Sequence, residues 1–177
     1  MNGENLQLIS RCKDGDRRAQ EELYRLYSPM LMGVCLRYAS NKEEAEDFLQ
    51  EGFIKIYANL YQYQPIGSFS SWLKKVVVNV ALQKLRRKKT PFADIEIDRL
   101  ADAVESNEDI FSRFGAKMLI RLIQQLPDGY RTVFNMYVIE GYSHKEIATQ
   151  LGINEATSKS QLSRAKAALR KMLEQVV

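Results

Sequence analysis

The stretch that most constrains the fold is residues 142–166, YSHKEIATQLGINEATSKSQLSRAK. Ser143, followed three residues later by Glu146, has the pattern of a capping box, which begins a helix by satisfying free backbone N–H groups. Gly152 can adopt the left-handed conformation that ends such a helix. Asn154 can then cap a second one. The sequence therefore predicts two short helices joined by a tight turn.

Apolar residues at helical spacing separate a core face from an exposed end on this helix pair. Ile147 and Leu151 lie one turn apart on the first helix, and the predicted core residues of the second are Leu162, Ala165, Leu169 and Met172. The residues left near its exposed N-terminal end are Glu155, Ala156, Thr157, Lys159 and Gln161. A helix-turn-helix presents such an end to the major groove of DNA, whereas an ordinary helical hairpin is the alternative. Ser158 occupies a position where such motifs usually bury Val or Ile.

The composition is that of a globular chain. The 177 residues are 45% hydrophobic and 27% charged, which favours two small domains. No apolar run is long enough to cross a membrane and no N-terminal signal pattern is present, so we expect a cytoplasmic protein without membrane insertion. Cys12 and Cys35 have no CxxC spacing or histidine cluster near them, so neither a disulfide framework nor a zinc site is indicated.

Charge changes sign abruptly along the chain at Thr90-Pro91. Seven cations occur before it with no acid between them, at Lys74, Lys75, Lys84, Arg86, Arg87, Lys88 and Lys89. Seven acids follow, opposed only by Arg99, at Asp94, Glu96, Asp98, Asp102, Glu105, Glu108 and Asp109. Placement of charge matters more than the net value of +4 for a polyanionic partner. Residues 92–110 have no clean periodicity, so we interpret them as an acidic linker.

Helical patterns fill the chain before this linker. We expect a first helix from Asn5 to Lys13, ended by Asp14-Gly15, and Asp16 can cap the next one. An apolar stripe follows, with a restart of the helix at Ser28-Pro29. Its members are Leu23, Leu26, Tyr27, Leu31, Val34, Cys35 and Tyr38. Asn41 and Glu44 then open a helix that runs to about Tyr61.

The helix after Asn41 has two different faces. The predicted core face contains Ala45, Phe48, Leu49, Gly52, Ile56 and Leu60. The opposite face contains Asp47, Gln50, Glu51, Ile54 and Ala58. An ordinary solvated face is one interpretation of this second set, since single exposed apolar residues are common.

A polar loop with Pro65 and Gly67 separates this helix from the segment FSSWLKKVVVNVALQKLRRKK. Its length and basic end favour a helix despite three consecutive valines. One face of that helix would carry Trp72, Lys75, Asn79, Gln83 and Arg86, while Leu73, Val76, Val77 and Val80 point inward. An aromatic ring, amides and cations in one row suit single-stranded or melted nucleic acid. The alternative is that Trp72 belongs to the core and the basic end is solvated.

The part after the linker, residues 111–177, also reads as a small helical domain. A helix over Phe111–Gln125 is indicated by Phe114, Met118, Leu119 and Leu122, and Pro127 starts the next. That next helix has a wide stripe, formed by Tyr130, Val133, Phe134, Tyr137 and Val138, and Gly141 ends it. The predicted architecture is therefore all-α, with two small helical domains, residues 1–91 and 111–177, joined by the linker.

Two separate segments resemble the bacterial sigma factors of the extracytoplasmic-function (ECF) group. AEDFLQEGFIKIY, residues 45–57, resembles the helix by which sigma factors bind the clamp of core RNA polymerase, and FSSWLKKVVVNVALQKLRR resembles the promoter-melting helix after it. LPDGYRTVFNMYVIEGYSHKEIATQLGINEATSKSQLSRAK resembles their C-terminal DNA-binding domain. The order and spacing agree over nearly the whole chain.

This resemblance implies roles for the residues already singled out. The polymerase-binding residues would be Asp47, Gln50, Glu51 and Ile54. Recognition and opening of the minus-ten element would fall to Trp72, Lys75, Asn79, Gln83 and Arg86, and the loop at residues 61–70 would help to capture a flipped base. Residues 1–91 would thus form region 2 of a sigma factor, and residues 111–177 would form region 4. The acidic linker would enter the positively charged RNA-exit region of the polymerase.

The minus-thirty-five element would be contacted by Lys145, Glu155, Thr157, Ser158, Lys159, Gln161 and Arg164. Lys159 and Gln161 are the main candidates for base edges, because Lys pairs with guanine and Gln with adenine. Arg131, Lys145, Arg164 and Lys166 are expected to contact phosphates, which set register without reading sequence. The resemblance also implies an anti-sigma factor, often membrane-anchored, that covers these surfaces. No cofactor is expected.

Three other functions explain less of the sequence. A helix-turn-helix regulator without a sigma role would leave the Asp47 face and the Trp72 row unused. An RNA-binding protein rests on the basic helix alone. An enzyme is disfavoured because the single histidine, His144, lacks a nucleophile motif and no Gly-rich phosphate loop is present.

Overall fold

The computed structural model describes residues 3–88 and 115–175. All regular elements in these two stretches are helices, which confirms the predicted all-α class. Contacts between Cα atoms divide the chain into two compact units, Met1–Gln83 and Lys84–Val177. The predicted linker, together with Phe111 and Phe114, lies outside the described residues.

The first unit begins with two helices that are tied together at a short turn. Helix α1 is Gly3–Lys13 and helix α2 is Arg17–Tyr38. Asp16 caps α2 as predicted, because its carboxylate accepts hydrogen bonds from the backbone N–H groups of Arg18 and Ala19. Arg11 on α1 reaches the same carboxylate at 2.7 Å. One aspartate therefore begins α2 and holds the end of α1 beside it.

Helix α2 continues through Pro29, so the predicted restart at Ser28-Pro29 is wrong. Proline removes one backbone donor and normally kinks a helix. Here buried residues on both sides of it, among them Leu23 and Leu31, hold the two halves against the same core. Leu26 is 56% exposed and is not part of the stripe, which is a second correction.

Helix α3 is Lys42–Asn59, followed by the short 3₁₀ helix Leu60–Gln62 and by helix α4, Phe69–Arg87. The predicted capping arrangement is confirmed. The side chain of Asn41 accepts a hydrogen bond from the N–H of Glu44 at 2.8 Å, and the Glu44 carboxylate accepts one from the N–H of Ser40 at 2.7 Å. The predicted core face of α3 is buried, as are Leu73, Val77 and Val80 of α4. Val76 is only half-buried and Val78 is buried instead, because α4 buries a wider arc than the valine pattern suggested.

Gly52 is a point of close contact between α3 and α4. A Cβ atom at this position would lie 2.8 Å from Cγ2 of Val77, which is a fully buried and β-branched side chain. The glycine therefore permits the two helices to pack at their observed separation.

We expect Gly52→Ala to lower the free energy of unfolding by about 1–3 kcal/mol, the usual cost of overpacking a core. Gly33→Ala is the matched control. A Cβ at Gly33 in α2 meets no atom within 4 Å, so alanine should stabilise the protein by about 0.5–1 kcal/mol through helix propensity. Urea unfolding of the two variants gives the comparison, and equal effects of the same sign would contradict the close contact.

The second unit consists of four helices and a π-helical segment among the described residues. The bounds are Ala116–Gln125 for α5, Asp128–Phe134 for α6, Asn135–Ile139 for the π-helical segment, His144–Leu151 for α7 and Glu155–Glu174 for α8. The predicted caps are all present. Ser143 and Glu146 form both bonds of a capping box, Gly152 ends α7 with a φ of 70°, and Asn154 accepts from the N–H of Thr157 at 2.6 Å.

The core of the second unit is built from apolar residues of all these helices. Its members are Leu122, Ile123, Leu126, Val133, Phe134, Met136, Ile147, Leu151, Leu162, Ala165, Leu169 and Leu173. Two predictions need correction. Leu173 is buried where Met172 was expected, and Tyr137 and Val138 are 39% and 46% exposed. The π-helical segment changes the rotation per residue, so a stripe with the α-helical period does not continue through it.

Candidate protein and nucleic-acid interfaces

An open groove of about 590 Å³ lies between α2 and α3. Its lining is formed by Tyr24, Met32, Glu46, Leu49, Gln50, Phe53, Ile54 and Tyr57. The aromatic rings support one another, with centroid distances of 4.5 Å for Tyr24 and Phe53 and 5.8 Å for Phe53 and Tyr57. Burial raises the pKa of Tyr57 to about 12, so its phenol stays protonated and donates a 2.8 Å hydrogen bond to the Gln20 carbonyl. The groove is a supported, mostly apolar surface of the kind that accepts side chains of another protein.

The four predicted polymerase-binding residues lie on the outward side of α3. Asp47, Gln50 and Ile54 are exposed, and Glu51 is half-buried. Ile54 is 61% exposed, which is a large exposure for an isoleucine within a helix. Two of the four, Gln50 and Ile54, also line the groove. The structure thus places an acidic strip beside an apolar depression, a combination that fits a protein partner with basic and apolar side chains.

Trp72 is packed into an aromatic cluster at the start of α4. It is half-buried, and its ring is nearly parallel to that of Phe69 at a centroid distance of 5.9 Å. The buried ring of Tyr63 lies 5.5 Å away on the same cluster. Phe69 therefore occupies one face of the tryptophan ring, which leaves less of it for a nucleic-acid base than a solvent-exposed ring would offer.

The rest of the predicted minus-ten row is on the surface. Lys75, Asn79, Gln83 and Arg86 are all exposed, at the helical spacing that puts them along one side of α4. They offer two cations and two amides at the surface. This arrangement can hold phosphates and hydrogen-bond base edges.

The helix-turn-helix presents part of the predicted minus-thirty-five set at its surface. Lys145, Glu155 and Lys159 are exposed, whereas Thr157 and Arg164 are half-buried. Exposure leaves Lys159 able to reach a base edge or a phosphate. Glu155, Ala156 and Lys159 therefore form the exposed part of the N-terminal end of α8.

Three residues expected to touch DNA are buried instead. Ser158 has no exposed surface, and Gln161 is 7% exposed, so neither can reach a base edge from this conformation. Ser158 faces α7, where its Oγ lies 2.9 Å from Nδ1 of His144. Arg131 is 2% exposed, and its Nη2 donates to the Leu126 carbonyl and to the Asp128 carboxylate at 2.7 and 2.8 Å. Arg131 is thus part of the core rather than a phosphate contact.

His144, the single histidine, is half-buried and contacts two other elements of the second unit. Its Nδ1 lies 2.9 Å from Oγ of Ser158, and its ring stacks on that of Tyr137 at 4.5 Å. Burial lowers the pKa of His144 below its ordinary value near 6.5, the charges of Lys159 and Lys166 lower it further, and Glu155 opposes them. The neutral imidazole is the favoured form at neutral pH.

This lowered pKa predicts that stability falls in mild acid. Above pH 6.5 the imidazole is neutral in both the folded and unfolded states, so its full contribution is present. As the pH falls through the lower folded-state pKa, the unfolded state binds the proton more readily and the free energy of unfolding decreases. Urea unfolding at pH 7.5 and pH 5.5 measures this decrease, and His144→Asn should reduce it. Because the chain has one histidine, an unchanged decrease in the variant would assign the effect to carboxylates and contradict the prediction.

No metal-ligating cluster of three or more His, Cys, Asp or Glu side chains is found within residues 3–88 and 115–175. Cys12 and Cys35 are buried free thiols, and burial raises their pKa values to about 11 and 12. In the same described part of the chain, no helix combines the length and the apolar character that a membrane span requires.

Both units match family models of known proteins. The family model of Sigma-70 region 2 matches residues 23–90, which contain the groove and the exposed row of α4, and that of Sigma-70, region 4 matches residues 116–169, which contain the helix-turn-helix. RNA polymerase sigma-H factor of Pseudomonas aeruginosa is 31% identical, in an alignment that covers 95% of this chain and 93% of that protein. The chain belongs to the sigma-70 family.

Further relatives define the group within that family. ECF RNA polymerase sigma factor SigW of Bacillus subtilis is 31% identical over 93% of this sigma factor and 94% of its own length. The predicted resemblance to ECF sigma factors is therefore confirmed. The fold is similar to that in a co-crystal structure of the sigma factor RpoE in complex with the anti-sigma factor NepR from Bartonella quintana, with a TM-score of 0.51, 20% identity and coverage of 87% and 96% of the two chains. Sigma factors are transcription initiation factors, not a family of catalytic enzymes, and the match to region 2 disfavours a plain regulator.

The groove is the feature that the sequence analysis missed. Tyr24 and Phe53 were assigned to neither a core nor a site, although both line the groove. The available signal was the i, i+4 pair of aromatic residues Phe53 and Tyr57 next to the exposed face of α3. A groove between two helices also depends on the crossing of α2 and α3, which periodicity within one helix does not specify.

Proposed function

We propose that this sigma factor binds core RNA polymerase, directs it to specific promoters and helps to open the DNA. One observation carries the proposal. Matches to regions 2 and 4 fall on two units that each display polar or basic residues at the surface. The RNA chemistry would belong to the polymerase, while this chain supplies promoter choice and strand opening. The site of action would be the cytoplasm.

The polymerase contact is assigned to α3 and its groove. An apolar depression lined by Ile54 and Phe53 beside the carboxylates of Asp47 and Glu51 gives a partner both area to bury and charge to match. Burial of apolar surface would supply affinity, and complementary charge would supply orientation and association rate. The partner that satisfies both is the clamp of the core polymerase.

Promoter contact is assigned to α4 and α8. On α4, Lys75 and Arg86 would hold phosphates while Asn79 and Gln83 bond to bases of the minus-ten element exposed by melting. On α8, Lys159 is the leading residue for the minus-thirty-five element, with Lys145 as a phosphate contact. Binding at both elements would offset the cost of unstacking the bases of the minus-ten element. The affinity should fall steeply with salt, because phosphate contacts release counterions.

Strand opening gives an experiment that separates the α4 residues from general binding. We expect Asn79→Ala with Gln83→Ala to reduce initiation from duplex promoters by roughly tenfold or more, since two hydrogen bonds of about 1 kcal/mol each are lost. A promoter with a mismatched bubble at the minus-ten element is already open, so initiation from it should be largely restored. Equal losses on both templates, measured by run-off transcription, would contradict a role in opening.

We infer that an anti-sigma factor controls this chain. The solved relative RpoE is held in a complex with the anti-sigma factor NepR. The groove of α3 supports the inference, because a protein that fills it would exclude the polymerase clamp from the same surface. A purified inhibitory partner should therefore compete with core polymerase for this chain, and simultaneous binding of both without loss of affinity would contradict the proposal.

A further inference from the structure

A buried polar contact joins the two helices of the helix-turn-helix. Ser158 in the second turn of α8 has no exposed surface, and its Oγ lies 2.9 Å from Nδ1 of His144, the first residue of α7. A buried hydroxyl without a partner costs roughly 1–3 kcal/mol, so this pair constrains how the helices can meet. Ile147 and Leu151, by contrast, contribute apolar contacts that tolerate small rotations.

The imidazole that receives this contact is itself fixed from a third element. Its ring lies almost parallel to that of Tyr137, with a centroid distance of 4.5 Å and an interplanar angle of 22°. Tyr137 belongs to the π-helical segment Asn135–Ile139. The ring of His144 is therefore held by the segment before α7. Its hydrogen bond to Ser158 in turn constrains the placement of α8 relative to that ring.

The hydrogen bond between Ser158 and His144 lies next to the exposed end of α8. Lys159 follows Ser158 in the chain and is exposed, and Glu155 lies one turn earlier on the same helix. An apolar contact at this place would allow α8 to rotate. Such a rotation would move Lys159 relative to the major groove. Hydrogen bonds are directional, so the bond at Ser158 limits that rotation more strictly than a valine at the same place.

We propose that His144 and Ser158 form a positioning pair that fixes the rotation of α8 and thereby sharpens promoter discrimination. This inference rests on the proposed function and adds to it two residues that do not touch DNA. The pair would act through the orientation of α8. An apolar pair at the same two positions could stabilise the fold equally well, because a hydrogen-bonded polar pair and a well-packed apolar contact can contribute similar free energies.

The test measures discrimination rather than total activity. A preferred promoter is first selected by the wild-type holoenzyme from a random-sequence pool, and its minus-thirty-five element is then scrambled. The ratio of initiation from the two promoters should fall roughly threefold to tenfold in Ser158→Ala and in His144→Leu, as expected for one lost hydrogen bond. His144→Asn has nearly the shape of leucine there but keeps an acceptor, so it should restore much of the ratio that His144→Leu loses.

A matched control and a stability measurement make the outcomes distinct. Thr149 on α7 is exposed and its hydroxyl bonds to the carbonyl of Lys145 in its own helix, so Thr149→Ala should leave the ratio unchanged. A variant that merely unfolds loses initiation from both promoters in proportion, which urea unfolding detects. An unchanged ratio in a working Ser158→Ala holoenzyme would overturn the positioning role alone. Absence of promoter-dependent initiation by the wild type would overturn the proposed function, and the positioning role with it.

Discussion

Asp47→Arg is expected to weaken binding to core RNA polymerase by about 30-fold or more, the effect of losing one interface hot spot. Asp47 is exposed on α3 beside the groove that Gln50 and Ile54 line. A partner that accepts an acidic strip presents positive charge to it, and a guanidinium at position 47 would face that charge directly. Placing like charges together at an interface costs several kcal/mol, more than removal of the carboxylate alone.

Equilibrium binding of labelled full-length chain to purified core polymerase at fixed salt measures this effect. Asp14→Arg is the matched control, because Asp14 is an exposed aspartate of the same unit in the turn after α1. It makes the same change of charge at a residue that does not line the groove, so it should bind almost as the wild type does. Thermal unfolding of both variants shows whether the fold is retained. Full association of a folded Asp47→Arg protein would remove α3 from the polymerase interface.

The second large effect is expected at Lys159. Lys159→Ala should reduce discrimination between the preferred promoter and variants of its minus-thirty-five element by about 1–3 kcal/mol, the usual contribution of a side chain that contacts a base edge. The loss should be concentrated at one position of the element. A uniform loss over all sequences, accompanied by a shallower dependence on salt, would instead assign Lys159 to a phosphate.

Gln161→Met gives the contrast on the same helix. Gln161 is 7% exposed, and its Oε1 has no hydrogen-bond partner among the described residues. Methionine has a similar shape without the buried amide, so the promoter preference should be retained and the free energy of unfolding should not decrease. If Gln161→Met changes the preferred base at one position, the glutamine reaches DNA and the buried conformation is not the one that binds.

Much of the helical framework follows from local sequence. The caps at Asp16, Asn41, Ser143 and Asn154, and the left-handed Gly152, are all found where they were predicted. Each involves residues within four positions of one another, so the pattern carries the information. The exposed row of α4 and the outward face of α3 follow in the same way from the 3.6-residue period.

The positions where the structure differs from the sequence prediction depend on contacts between helices and not on local sequence. Pro29 lies inside a helix because packing on both sides outweighs the local preference of proline. Gln161 and Ser158 are buried by the packing of α8 against other helices of its unit, which no period within α8 specifies. Tyr137 leaves the predicted stripe where the π-helical segment begins. Contacts between elements therefore decide which of the predicted site residues are exposed, and sequence alone does not specify those contacts.

Transcription by purified bacterial core polymerase, with and without this chain, on a pool of promoter fragments from its own genome tests the central claim most directly. The account predicts initiation that depends on this chain, from a small set of fragments that share two spaced elements. DNA binding without any initiation that depends on the polymerase and this chain together would contradict it, and would return the α3 face to an ordinary solvated surface.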